Sequence, residues 1–243
     1  MNKLIRGEIY RTKRINIIWV ILIMIGGLAM ASPFLNEAKT AREFFTNYVS
    51  SGSVFIIFLP MLTAFIAGRA YMHRTAMYEI MAGYSPEKIL VSKCIAIALP
   101  VTFIFWAFGF AGMGIAAGMD STGFSDAIPK MFLVFLIFLR ASLFGVMVTA
   151  CIRSMGSIAV VYGRGMIEMI ILIIYSSVSA KGSMEEDFIA SDNILINHLL
   201  SEQPSILSKP VSTSGVLQIV LGLVIEVCFW AVIYWFVNKK CDY

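Results

Sequence analysis

Charge is what this sequence has least of: Asp, Glu, Lys and Arg make up 14% of its 243 residues, against roughly 25% in an ordinary soluble domain. Together with 59% hydrophobic residues and a mean hydropathy of +0.83, that scarcity excludes a water-solvated globule. Histidine is nearly absent, with His73 and His198 alone, and the four cysteines, Cys94, Cys151, Cys228 and Cys241, form no CxxC pair and no metal-like cluster with them. The cysteines lie in or beside apolar segments and read as reduced and structural. No G-x4-G-K-[ST] run is present to cradle a triphosphate, so any ATP that powers this chain is hydrolysed on another polypeptide. HExxH and GxGD are missing too, and neither histidine sits in an apolar run where a serine could use it, which argues against an intramembrane enzyme. The net charge of +4 does not point to nucleic acid, because the basic residues cap apolar runs rather than form a face rich in aromatics.

What is present is a series of long apolar runs, and a hydrocarbon core about 30 Å thick needs about 20 such residues per helix. Six runs meet that length: Ile15 to Ala31, Gly52 to Ala70, Cys94 to Gly118, Lys130 to Ile152, Ser157 to Ser179 and Thr213 to Val237. The expected fold is an all-α membrane protein of six transmembrane helices, residues 15–243, preceded by an amphipathic interface helix over residues 1–14. That first segment carries Lys3, Arg6, Arg11, Lys13 and Arg14 against one acid, Glu8, while Leu4, Ile5, Ile9 and Tyr10 fall near one face at helical spacing. Ala29-Met30-Ala31 resembles a signal-peptidase site, but the long basic head and long apolar run argue against cleavage. Asn36 to Ser51 reads as a polar outer loop, residues 180–213 as a larger outer segment with Glu185, Glu186, Asp187, Asp192 and Glu202, and Pro60 as a kink in span two. Span three holds Gly114 and Gly118, a GxxxG pair suited to close helix contact.

Lys and Arg orient such a chain. Of its 19 basic residues, Lys39, Arg42, Lys130, Lys181 and Lys209 fall on outer segments and Arg140 and Arg164 within spans, leaving twelve at the inner ends. Both termini are therefore expected in the cytoplasm.

The region 72–93 contains a helix ending at Gly83, a turn, and a second helix with Ser85 as N-cap, Pro86 at its first position and Lys88 at the third. It reads equally as a rigid, partly apolar cytoplasmic handle or as a loop shaped by lipid headgroups. Glu79, Gly83, Ser85, Ile89, Ser92 and Lys93 fit an E-x3-G-x-S-x3-I-x2-S-K pattern. In this pattern, in its six-span layout, in its basic N-terminal helix and in its enlarged last outer segment, the chain resembles permease subunits of ABC-2-type ATP-binding-cassette transporters, especially small bacterial ones for peptides and lantibiotics. Pro86-Glu87 departs from the family, whose members often place a basic residue after the serine. The resemblance implies a coupling helix around Glu79, Gly83, Tyr84 and Ser85 that meets a separate cytoplasmic ATPase subunit carrying ATP and Mg, and a second permease subunit in a homo- or heterodimer. It also implies a bacterial plasma membrane and export of an amphipathic peptide or hydrophobic compound.

Arg140, Arg164, Glu168 and Glu226 fall about halfway along spans four, five and six, where an unpaired ion costs about 2.5–3.5 kcal/mol even on lenient insertion scales. Arg164 and Glu168 are spaced i, i+4 and can meet on one helix face, leaving Arg140 and Glu226 as a pair between helices. The set is either a satisfied network holding three spans in register or a polar substrate path. The same charges give the alternative function, a self-contained ion-coupled carrier or channel.

Overall fold

A computed structural model describes residues 1–14, 16–73, 79–179, 199–200, 203–208 and 213–240. Much of the expected outer segment 180–213, with its five acids, and Cys241 lie outside the described residues. Among the described residues the α-helices are, in chain order, α1 (Asn2–Lys13), α2 (Asn16–Leu35), α3 (Ala41–Met72), α4 (Pro86–Lys93), α5 (Leu99–Met119), α6 (Phe124–Ile152), α7 (Ser157–Ser179), α8 (Gln203–Ser208) and α9 (Thr213–Lys240). No strand occurs among the described residues. Among the described residues, five helical stretches are long and apolar enough to cross a membrane: those of α2, of α4 continuing through α5, of α6, of α7 and of α9. The chain is a multi-pass, all-α membrane protein. Within α3, Ile56–Met72 is a further apolar stretch of 17 residues.

Helix α6 is the axis of the bundle. Of its apolar stretch 67% is buried, against 17% for α7 and for α9, and α3 and α9 are the helices packed most extensively on it. Lipid tails are as apolar as leucine, so such packing draws on close approach rather than on exclusion of water. Where α5 meets α3 and α2, Gly109 and Gly112 supply it: an added Cβ would lie 2.5 Å from the Tyr48 ring and 2.8 Å from Met30. Around Gly114 and Gly118, the expected contact pair, an added Cβ would meet nothing within 4 Å among the described residues. Tyr48 also donates to the Phe105 carbonyl at 3.0 Å and stacks on Phe44, pinning α3 to α5.

Three stretches differ from the sequence expectation. Asn36 to Ser51 is not a loop throughout: α3 starts at Ala41 because Thr40 accepts from the Glu43 N–H and the Glu43 carboxylate accepts from the Thr40 N–H, a complete capping box. Its first turns then bury Phe44, Phe45, Tyr48 and Val49. Span three begins earlier, at Pro86, and runs through a π-helical segment at Cys94–Ala98. Pro100 accounts for the wide turn, since its ring would collide with the Ala96 carbonyl in a regular α-helix. In α1 the buried face is Leu4, Glu8 and Thr12, while Ile9 and Tyr10 stay exposed.

Pro60 lies inside α3, on the side that faces α6. Thr63 donates to the Leu59 and Pro60 carbonyls at 3.0 and 3.1 Å, and Gly145 of α6 lies directly against the Pro60 carbonyl. A methyl group there meets backbone, which cannot swing aside. Gly145→Ala therefore lowers the thermal midpoint in detergent, by the equivalent of about 1–3 kcal/mol of overpacking. Gly114→Ala, with open space around it, leaves the midpoint unchanged or raises it. The opposite order would contradict this packing.

Candidate functional site

Two charged clusters lie in the bundle, one at the end that holds α1 and one at its middle. The first grows from the turn before α4. Helical backbone at 79–81 ends in a Schellman arrangement, with the Gly83 N–H bonded to the Ile80 carbonyl at 2.9 Å and the Tyr84 N–H to the Glu79 carbonyl at 3.2 Å. Gly83 sits at φ +82°, a left-handed conformation that a side chain would strain. Ser85 follows as N-cap in extended backbone, with no side-chain cap bond among the described residues, and Pro86 opens α4. The turn leaves Met81 81% and Ile80 48% exposed. The α9 end buttresses it, since Tyr234 donates to the Pro86 carbonyl at 2.8 Å.

Glu79 points the other way, inward and buried. Arg11 of α1 donates to its carboxylate, and the Lys93 ammonium lies 3.9 Å from it. Lys93, wholly buried, bonds Glu8 at 2.6 Å, and Arg11 also reaches Glu8 at 3.3 Å. Two acids and two bases thus clamp α1 to the turn and to α4. Burial pushes the Glu79 carboxyl above the ordinary carboxylate range; Lys93 and Arg11 oppose that rise and the nearby Glu8 adds to it. Glu79 faces the clamp, while Ile80, Met81, Ala82 and Gly83 are exposed. Sequence reasoning gave Glu79 but missed Glu8, Arg11 and Lys93 as its partners. The signal available was Glu8 itself, the one acid in a basic helix.

The second cluster joins the four charges expected at membrane depth. Arg140 Nε donates to Glu226 at 2.7 Å and Arg164 Nε to Glu168 at 2.7 Å. Arg164 also reaches Glu226 across to α9 and lies with its guanidinium 4.2 Å from the centre of the Phe144 ring. The set is neutral, and Glu226 receives both arginines. Gln203 of α8, fully buried, comes down beside it: a Cβ on Gly222 would meet Gln203 Nε2 and Arg140 Nη1, each at 2.7 Å. Gln203 was overlooked because it lies in a stretch that reads as outer segment. Among the described residues no group of three or more His, Cys, Asp or Glu could hold a metal ion.

The chain matches no family model, no curated protein and no solved structure. Its function is therefore argued from these clusters and the surfaces around them.

Removing one member of a buried ion pair strands the other, at about 3–5 kcal/mol. Glu226→Leu leaves Arg140 and Arg164 facing Glu168 alone and destabilises the bundle on that scale. Arg140→Leu combined with Glu226→Leu leaves the neutral Arg164–Glu168 pair, so a double-mutant cycle of thermal midpoints recovers at least half of the single-variant loss. Additive losses would show that Arg140 and Glu226 do not depend on each other.

Proposed function

We propose that this chain is the membrane permease subunit of an ATP-binding-cassette exporter in a bacterial plasma membrane, with six spans and both termini in the cytoplasm. A separate ATPase subunit binds ATP and Mg and docks on the turn at 79–85. Two permease subunits, identical or paralogous, pair above two ATPases and move an amphipathic peptide or hydrophobic compound. The observation that carries the reading is the turn itself: exposed Ile80 and Met81 on a Gly83-closed hairpin, braced from behind by the Glu8–Arg11–Glu79–Lys93 clamp. Apolar side chains at the aqueous end of a membrane protein, held rigid by buried ions, suit a protein partner better than a solvated loop. The E-x3-G-x-S-x3-I-x2-S-K pattern falls on this element, with Glu79, Ile89, Ser92 and Lys93 buried inside it and Gly83 closing it.

A self-contained ion-coupled carrier is less well supported. Its ion site would have to be the mid-membrane set, and there the four charges neutralise one another within α6, α7 and α9.

Purification of the tagged chain from its native cell in mild detergent, followed by mass spectrometry, tests the exporter reading. A stoichiometric ATPase subunit is expected, and the Ile80→Asp, Met81→Asp variant, which alters only exposed side chains, should lose it while keeping its thermal midpoint. An intact chain that emerges alone would overturn the proposal and return the four mid-membrane charges to consideration as an ion site.

A further inference from the structure

Helix α1 divides its charges between two faces. Leu4, Glu8 and Thr12 turn inward, and Glu8, the one acid of the helix, is taken up by Lys93 and Arg11. The opposite face carries Lys3, Arg6, Tyr10, Lys13 and Arg14, which recur at i+3 and i+4 and are all exposed. Among the described residues no carboxylate lies within ion-pair distance of these four cations, and Arg14 rests its guanidinium 5.0 Å from the centre of the Tyr10 ring. Ile9, 45% exposed, borders the row. The clamp has thus withdrawn the acid of α1 from the surface and left a row of basic side chains there beside an apolar one.

The height of this row in the membrane is set by α2. Helix α1 ends at Lys13 and α2 begins at Asn16, with the apolar stretch of α2 opening at Ile18. Trp19 ties the two helices together by donating from its indole to the Thr12 carbonyl at 3.0 Å. Tryptophan at the end of a span marks the level of the headgroups, so α1 lies where the chain leaves the hydrocarbon. A Lys or Arg at that level lays its methylene stem on the acyl boundary and holds its charge among the headgroups.

We infer that the outer face of α1 binds the headgroups of anionic phospholipids in the leaflet at its own end of the bundle, with Lys3, Arg6, Lys13 and Arg14 on the phosphates and Ile9 and Tyr10 at the acyl boundary. Arg6 and Arg14 offer planar forks matched to phosphate oxygens, and Lys3 and Lys13 compact charges beside them. Basic clusters of about four to eight residues next to a span recognise anionic membranes in this way, through a field that salt screens. The assignment stands apart from the transport reading, since it involves neither the turn at 79–85 nor a partner subunit.

Hydrogen–deuterium exchange of the full chain tests it in nanodiscs of phosphatidylcholine alone and of equal parts phosphatidylcholine and phosphatidylglycerol. An anionic surface draws protons and slows nearby exchange by itself, so α1 is read against the turn at Ser154–Gly156, next to Arg153 at the same end of the bundle. On that scale the α1 amides exchange at least about tenfold more slowly in the anionic discs, and the difference disappears in roughly 1 M salt, where the Debye length is about 3 Å. The variant Lys3→Gln, Arg6→Gln, Lys13→Gln, Arg14→Gln, altered only at exposed side chains, keeps its protection in phosphatidylcholine and gains none from phosphatidylglycerol. Lys3→Arg with Lys13→Arg keeps the wild-type gain, which separates loss of charge from damage to the helix. Equal α1 exchange of wild type in the two discs, or an undiminished gain in the glutamine variant, overturns the inference. Inorganic phosphate that slows α1 equally in phosphatidylcholine discs overturns it too, by making free phosphate the ligand.

Discussion

An ion placed away from water must find its opposite, and that constraint shapes this protein more than hydrophobicity does. Apolar surface gives its helices their lengths but says little about how they associate, because lipid is as good a solvent for leucine as another helix is. Specific association comes from positions with one solution each: the Gly145 backbone against Pro60, the Tyr48 ring over Gly109, and the buried charges. Arg140, Arg164, Glu168 and Glu226 tie α6, α7 and α9 together, and Glu8, Arg11, Glu79 and Lys93 do the same where α1 meets α4.

The two clusters differ in what surrounds them. The mid-membrane set is flanked by Phe144 and Gln203, and Arg164 keeps 25% of its side chain exposed. The other set is the back of an exposed apolar turn. Its ions join α1 to the turn and to the start of the long α4–α5 helix, where Lys93 is followed directly by the π-helical segment. A widened turn at that point, built in by Pro100, is a place where the helix can change its phase without losing all of its backbone bonds.

Much of this was legible in the sequence. Runs of 17 or more apolar residues marked the membrane helices, i, i+4 spacing marked the Arg164–Glu168 pair, and Gly83 followed by Ser85-Pro86 marked a helix end and a new start. The capping box at Thr40 and Glu43 was legible as well, yet the polar residues around it outweighed it and the segment read as a loop. What could not be read are contacts between distant parts of the chain. Glu8 and Lys93 are 85 positions apart, and nothing in either neighbourhood names the other. The choice of Gly109 and Gly112 over Gly114 and Gly118 depended on where the rings of α3 would fall, which no spacing within α5 encodes.

The central claim is that the buried charges bind α1 and the exposed turn into a single unit, and hydrogen–deuterium exchange of the full chain in detergent tests it most directly. In Lys93→Met, which leaves Glu8 and Glu79 with Arg11 alone, the amides of α1 and of residues 79–85 should lose protection together, while α6 exchanges as in wild type. If α1 kept its protection in that variant, or the turn stayed protected while α1 opened, the clamp would not be what joins them.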